Sequence, residues 1–393
     1  MTQGTSDTFR ISAREMRHAN LGNLLSIVRS AETIPRSELA ARTGLTIPTV
    51  HRLLAELIQM GFVEEDHSPS PVRRSGRRPM WYRFRADICY VASVDIGNET
   101  TRAALASADG AVIAVAEMKT PQIAGHLIEG VASLILRLHA NNGVHAAPLV
   151  GVAVGLSASV SPETDVVLHA PHYHGWEGMQ IRTLLEQRVG CRVFVEQDDH
   201  LSIVGEVGEG GAAHNVASAL VLNVGKGIGV GHLIDGQVLR GHHGAAGRIA
   251  DWPLRLVGIE DHRTVSDVLV ADAMVATYHR RGGTLEVFDG RSLCAVARAN
   301  DEIARSVVEE AATVLGRIFW CLALDRDPEV MIFGGGLAGS FDLFAQPLNR
   351  VLAPLPFTIK VIPSRLGDQA VVRGGIPVAL QGFDEWVQER LTA

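Results

Sequence analysis

Six histidines, His169, His172, His174, His200, His242 and His243, fall in a few short stretches of the chain. Imidazole is a common ligand for zinc and related ions, so this crowding raises the question of a metal site. No two of the six have the helical spacing that would force their rings together, and no metal is expected. Cys89, Cys191, Cys294 and Cys321 are far apart, with no CxxC or mixed His/Cys spacing, and are expected to be buried free thiols. Glycine is concentrated at Gly225-Lys-Gly-Ile-Gly-Val-Gly231 and Gly334-Gly-Gly336. Backbone without a Cβ can close on a phosphate, and it can equally make a plain hairpin or a tight strand-to-helix turn. Arg248 offers a planar fork of donors that suits a carboxylate or a phosphate.

A different chemistry is written into Ile34 to Glu65, which reads as two short helices joined by a turn. Gly44 supplies the turn, Thr46 is suited to cap the free N–H groups of the second helix, and Pro48 is tolerated in its first turn. Val50, Leu53, Leu54 and Leu57 then form one apolar stripe, with Thr49, His51, Arg52 and Glu56 directed elsewhere. Leu21, Leu24, Leu25 and Val28 have the same spacing and predict a supporting first helix. Phe62–Glu65 and Met80–Phe84 read as strands on either side of a basic connector, the arrangement of a winged helix-turn-helix. Residues 1–86 contain 13 Arg, no Lys and 8 acidic residues, a net charge of +5, whereas the remainder contains 23 basic and 35 acidic residues, a net charge of −12. A basic head on an acidic body fits a phosphate-binding module attached to something that avoids nucleic acid.

A chain of 393 residues with 47% hydrophobic content has room for two or three domains, each with its own core. No run approaches the roughly 18 apolar residues of a membrane helix. The polar start MTQGTSDTFR is unlike a signal peptide, so a cytoplasmic protein is expected. Beyond Asp87 strands alternate with helices. Tyr90–Gly97, Thr101–Ala108 and Ala111–Met118 read as three consecutive strands, followed by a helix at His126–Ala140, a strand at Leu149–Gly155, another at Arg192–Glu196, and a helix from Asp199. A second set starts at Ala217–Asn223, with Gly225–Gly231 as the loop between its first two strands, and continues through a helix at Asp301–Leu324 and a strand at Val330–Phe333. Two strand-rich halves of this kind predict an α/β protein of two related lobes. Pro377–Leu391 reads as a final helix, with Ala379, Phe383, Val387 and Leu391 on one face.

The ordered set VDIGNETTRAAL, VEQDDH, LNVGKGIGVGHLIDGQVLRGHHGAAGRIAD and IFGGGLAGS, behind a winged helix-turn-helix, resembles the ROK family of repressors, open reading frames and sugar kinases over about Arg17 to Leu380. The resemblance implies a two-lobed actin/hexokinase-like (ribonuclease H-like) domain with a ligand cleft between the lobes. The implied division is a head at 1–86, a first lobe at 87–200 plus 372–393, and a second lobe at 201–371. Asp95, Gly97, Gly225, Gly227, Gly229, Gly334 and Gly335 take the places of the family's nucleotide loops. Glu99 stands where kinase members have a small hydroxyl residue, and its charge near a phosphate would cost on the order of 1 to 4 kcal/mol. Asp198 keeps the position of the catalytic carboxylate. Arg248 replaces the sugar-binding glutamate of GAAGEIGH and Asp251 its histidine, while the zinc-holding cysteines that follow in many members are absent from DWPLRLVGIEDHRTVSD. Another means of holding that loop is then required.

By the same resemblance His172, Gln197, Asp198, Arg248 and Asp251 are candidate ligand contacts, with Arg248 meeting either an anionic group of the ligand or Asp251 or Asp198. The helix Ile47–Met60 would enter the major groove. Thr49, His51 and Arg52 are candidates for base edges or nearby phosphates, Arg36 and Thr46 for backbone contacts, and Arg77 and Arg78 for a narrow minor groove. The expected protein is a repressor that binds operator DNA as a homodimer or homotetramer and senses a sugar or sugar derivative, without cofactor and without kinase activity. The alternative is an ATP-dependent sugar kinase using Asp198 as general base.

Overall fold

The computed structural model describes residues 12–67, 80–142, 147–161, 163–164, 166–170 and 173–392. Its first helix, α1 (Ala13–Arg29), starts at a reciprocal cap: Ser12 N–H donates to Glu15 Oε2 at 2.7 Å, and Glu15 N–H donates to Ser12 Oγ at 3.1 Å. A two-residue strand β1 (Ile34–Pro35) precedes α2 (Arg36–Thr43), which ends at Gly44 in the left-handed region, φ 71°. Thr46 then caps α3 (Ile47–Gln59) by accepting from Thr49 N–H. Strands β2 (Val63–Asp66) and β3 (Trp81–Phe84) complete a small sheet in the order β1-β3-β2. The expected apolar stripes of α1 and α3 are all buried in one core with Leu39, Phe62 and Tyr82. Strand β1 was not expected. Two residues are too few to display a period of two, and pairing with Trp81 and Tyr82 makes them a strand. The expected wing arginines, Arg77 and Arg78, lie outside the described residues.

The body holds two five-stranded sheets with the same plan. In the first, β4 (Tyr90–Ile96), β5 (Thr100–Ser107) and β6 (Val112–Lys119) run antiparallel, and β7 (Leu149–Leu156) and β10 (Arg192–Gln197) join parallel to β4, giving β10-β7-β4-β5-β6. Helix α4 (Ala124–Asn141), the short pair β8 (Ser159–Val160) and β9 (Val167–His169), and α5 (Ile181–Val189) lie between them in sequence, and α6 (Asp198–Val207) follows β10 directly. In the second, β11 (Ala219–Val224), β12 (Ile228–Ile234) and β13 (Gln237–Val238) run antiparallel, and β14 (Val330–Gly334) and β15 (Lys360–Pro363) add parallel to β11, giving β13-β12-β11-β14-β15. Helices α7 (Ser266–Leu269), α8 (Ala271–Arg280), α9 (Gly290–Arg298), α10 (Glu302–Arg326) and α11 (Phe341–Leu352) pack over this sheet in a core that includes Phe319, Phe333 and Phe344. The repeated topology is the two-lobed architecture, and both first hairpins turn toward the same cleft. Among the described residues no helix is long and apolar enough to cross a membrane.

The segment after Asp251 is held without cysteine. Pro253 and Thr264 form an antiparallel bridge, Leu254, Val257 and Val265 are buried, and Arg263 pairs with Asp261 at 2.8 Å and with Glu310 of α10 at 2.7 Å. Backbone pairing and an ion-pair network hold the segment there.

Two expectations need correction. The final helix, α12 (Ala370–Thr392), begins at Ala370 and not at Pro377, which lies inside it. Gly374 and Gly375 weaken the helical signal, yet both are required by contact: a Cβ at Gly374 would overlap the Leu201 carbonyl of α6, and one at Gly375 would overlap Ser93 Oγ of β4. The glycine loop is also shorter than expected, because strand β12 starts at Ile228 and leaves only residues 225–227 as the turn. Gly229 and Gly231 are strand residues against which α6 lies so closely that a Cβ would strike Asp199.

Candidate functional site

The outer face of α3 is polar and open. His51 and Arg52 are exposed, and Arg36 of α2 reaches His51, with Nη1 3.0 Å from Nδ1. Thr46 and Thr49 join hydroxyls at 2.9 Å, so they act as one polar corner at the start of α3. Glu56 is taken out of this face, since Arg17 of α1 donates to its Oε2 from both Nε and Nη2, at 3.0 and 2.8 Å. Arg36 with His51 and Thr46 with Thr49 thus form two polar pairs on the exposed part of α2 and α3, and Arg52 is exposed next to His51 in sequence.

In the body, β10 delivers Gln197 and α6 begins with Asp198 and Asp199 at the bottom of the cleft. Asp199 N–H donates to Asp198 Oδ1 at 2.9 Å, and Asn223 Nδ2 of β11 donates to Asp199 Oδ1 at 2.7 Å, which joins the two lobes. Enclosure raises the Asp198 carboxyl above its ordinary value, and enclosure together with the charge of Asp198 raises Asp199 well above it. Asp95, at the end of β4, is pushed up to about 7 by burial and then by the Asp198 charge. Burial also raises Tyr173, whose hydroxyl donates to the Ile96 carbonyl at 2.6 Å.

The first turn of α6 also holds the segment 240–248. Gln197 Nε2 donates to the Gly244 carbonyl, His200 Nε2 lies 3.4 Å from the Ala246 carbonyl, and Val230 N–H donates to the Gly247 carbonyl at 3.0 Å. Burial alone would raise Glu196, but its hydrogen bond with His200 and the charge of Arg240 at 2.7 Å outweigh it and hold the carboxyl low. Arg248 emerges from this clamped segment. Its Nη1 donates to Ser159 Oγ at 3.1 Å and its Nη2 to Asp251 Oδ2 at 3.3 Å. Asp251 is 78% exposed, so that ion pair contributes within about 0–1 kcal/mol. The expected partnership with Asp251 thus exists, and none is made with Asp198.

Two cavities meet over Asp198 and Asp199. The larger, about 610 Å³, lies between the turn at Gly97–Thr100, the turn at Gly225–Gly227, and the segments Phe288–Arg291 and Gly335–Leu337. The smaller, about 200 Å³, is lined by Ser159, Gln197, Asp198, Arg248, Asp251 and Ser266, among others. Of the expected nucleotide-loop residues, Gly97, Gly225, Gly227, Gly229 and Gly335 border the larger cavity. Gly334 does not; it lies in β14, where a Cβ would overlap Asn223 Oδ1. Gly335, at φ +78°, makes the tight turn after β14 against the Val224 backbone. Glu99 is not left bare: Lys226 pairs with it across the cleft, and this bond raises the Lys226 ammonium. Asp368 adds a second link, 3.4 Å from Arg102 of β5 and 3.3 Å from Arg291 of α9.

Sequence reasoning missed Ser159, Lys226, Asn223 and Asp368. Only Lys226 carried a signal, as the lone charge within the glycine loop. The histidines disperse: His169 pairs with Glu177 at 3.1 Å, His242 and His243 stack edge to face, and His200 faces Glu196. His172 lies outside the described residues. Among the described residues no group of three His, Cys, Asp or Glu side chains could hold a metal ion.

The profile of the ROK family matches residues 91–381, and that of the IclR helix-turn-helix domain matches residues 23–67. Over 388 residues the chain is 25% identical to a protein named xylose repressor from Caldicellulosiruptor bescii, covering 91% of this chain and 94% of the relative. It is also 25% identical over 312 residues to a glucokinase from Thermotoga maritima, covering 72% of this chain and 95% of the relative. Its fold matches that of a ROK family transcriptional regulator, a homolog of the E. coli MLC protein, with a TM-score of 0.78 at 19% identity over 96% of this chain and 99% of the other. A ROK family glucokinase from Streptomyces griseus, solved with glucose and AMPPNP, matches with a TM-score of 0.65 at 22% identity over 74% of this chain and 99% of the other.

Proposed function

The chain belongs to the ROK family, and from that premise we propose that it is a transcriptional repressor whose sugar-kinase-like body senses a sugar or sugar derivative and performs no phosphoryl transfer. The single observation that carries this reading is one continuous apolar core. Leu21, Leu53, Phe62 and Tyr82 of the head share it with Ala379, Phe383 and Val387 of α12 and with Leu201 of α6, the helix that begins at Asp198. A head fused through packed side chains to the floor of a ligand cleft is placed to report what the cleft contains. The name of the repressor relative, which matches over nearly the whole chain, agrees with this direction.

In this proposal the head is residues 1–86, the first lobe is 87–200 with 372–393, and the second lobe is 201–371. Arg36, Thr46, Thr49, His51 and Arg52 contact operator DNA, with Arg77 and Arg78 on the wing. Gln197, Asp198, Arg248 and Asp251 contact the ligand, and His172 belongs with them by sequence. A homodimer or homotetramer presents two heads whose spacing changes when ligand closes the lobes. Asp198 serves as an acceptor for a ligand hydroxyl. Two features support the loss of turnover: a guanidinium at 248 in place of an acceptor, and the Glu99–Lys226 pair across the phosphate end of the cleft.

Selection of random duplexes by the full chain, followed by fluorescence anisotropy with added sugars, tests the reading. A defined operator, released by a sugar and weakened roughly 10-fold or more by Arg52→Ala, is the expected result. ATP-dependent phosphorylation of a sugar, abolished by Asp198→Asn, would replace the sensor with a kinase.

A further inference from the structure

The smaller cavity has room for one sugar ring, being below the size of ordinary drug-sized sites. Its polar wall combines two buried side chains, Ser159 and Gln197, with Arg248. Arginine is a donor only. It can donate to a sugar hydroxyl oxygen but cannot take that hydroxyl's proton, so a neutral ring at this wall must find its acceptors on other residues. A carboxylate has acceptors only, and its two oxygens match the guanidinium fork. Five N–H groups are available on Arg248, and the structure commits one to Ser159 and one to Asp251. The Asp251 carboxylate is mostly in water and can be exchanged for a ligand oxygen. Ser159, donating its own proton, completes an anion cradle.

Charge decides which anion. Asp198, Asp199 and Asp251 line the same cavity, while Lys226 is engaged by Glu99. Any negative charge on these groups repels a phosphate dianion about twice as strongly as a carboxylate monoanion. Ser159 belongs to the first lobe and Arg248 to the second, so an anion held by both also ties the lobes together.

From this geometry we infer that the ligand is a monosaccharide acid whose carboxylate is held between Arg248 and Ser159 while its hydroxyls meet Gln197 and Asp198. The inference rests on the sensor reading above and names the ligand class of that same site.

Calorimetric titration of the full chain with D-glucuronate, D-galacturonate and D-gluconate, against D-glucose, D-galactose, D-xylose and glucose 6-phosphate, tests it. At least one acid should bind about 10-fold or more tightly than its neutral counterpart. Arg248→Gln should remove that preference, Arg248→Lys should keep part of it, and Arg248→Glu should turn it toward the neutral sugar. Ser159→Ala, which alters no charge, should weaken the acid selectively, and circular dichroism melts of each variant check folding. Preference for a neutral sugar, unmoved by Arg248→Gln, overturns the assignment. So does tighter binding of glucose 6-phosphate than of every acid. Either result, if that ligand still releases DNA, leaves the sensor reading standing. Absence of binding by every acid overturns the assignment, whereas failure of the full chain to select any duplex overturns the sensor reading.

Discussion

At Asp95 a carboxylate in the cleft is kept against the stability of the fold. Burial and the neighbouring Asp198 hold its carboxyl at about 7, against an ordinary 3.8. Below the ordinary value both folded and unfolded chains carry the proton and no penalty exists. Between 3.8 and about 7 the unfolded chain ionises first, so stability falls as pH rises, and above 7 the full penalty is present. Asp95→Asn is therefore expected to stabilise the protein at pH 8 by about 1–3 kcal/mol and to leave it nearly unchanged at pH 4, as read from urea unfolding at the two pH values. A carboxylate kept at such a cost is of the kind retained for a site rather than for packing. The sequence motif named Asp95, Asp198 and Arg248 but could not give their partners. Ser159 lies 89 positions from Arg248 in sequence, and no local pattern connects two such residues.

At the scale of elements, α12 does the most to join head and body. Along one side Gly374 and Gly375 bring it to backbone distance from α6 and β4, and Gly382 brings it against the Val150 carbonyl of β7. Farther along, Phe383 meets Phe84 edge to face at 5.9 Å, Trp386 meets Phe62 at 5.7 Å, and Arg29 of α1 lies 4.5 Å over the Phe383 ring. Removing that ring leaves a cavity between head and helix. Phe383→Ala is expected to destabilise the head by about 3–5 kcal/mol. Hydrogen exchange should show it as faster exchange of α1 amides with β4 amides little changed, whereas equal loss in both would mean that the head does not unfold separately. The apolar face of this helix was legible from Ala379, Phe383, Val387 and Leu391. Its start was not, because Pro377 and the paired glycines weaken helical periodicity for reasons that lie in α6 and β4.

Considered whole, the molecule separates its charges: +5 on residues 1–86 and −12 on the remainder. Arginines of the head attract phosphates, while the acidic body discourages the duplex from wrapping onto the wrong surface. Binding through such contacts releases counterions, so affinity for a selected operator should fall by about 100- to 10,000-fold between 50 and 200 mM salt. Anisotropy titrations at several salt concentrations measure the slope, and a flat slope would exclude the head as the main DNA contact. Between the lobes, Glu99 with Lys226 and Asp368 with Arg102 and Arg291 form two exposed bridges across the cleft. Each contributes at most about 1 kcal/mol, so together they oppose relative motion of the lobes only weakly.

By itself the sequence determined the helix-turn-helix, the charged division of head from body, and the repeated strand-helix order of the lobes. These follow from hydrophobic periodicity, caps and net charge, which are local or additive properties. Only the tertiary structure decided the rest: that Gly229 and Gly231 make room for Asp199, that Lys226 answers Glu99, that Arg263 takes over the segment after Asp251, and that the glycine-containing α12 carries the head on the floor of the cleft. Those are contacts between segments far apart in the chain. Their residues are chosen for surroundings that exist only after folding.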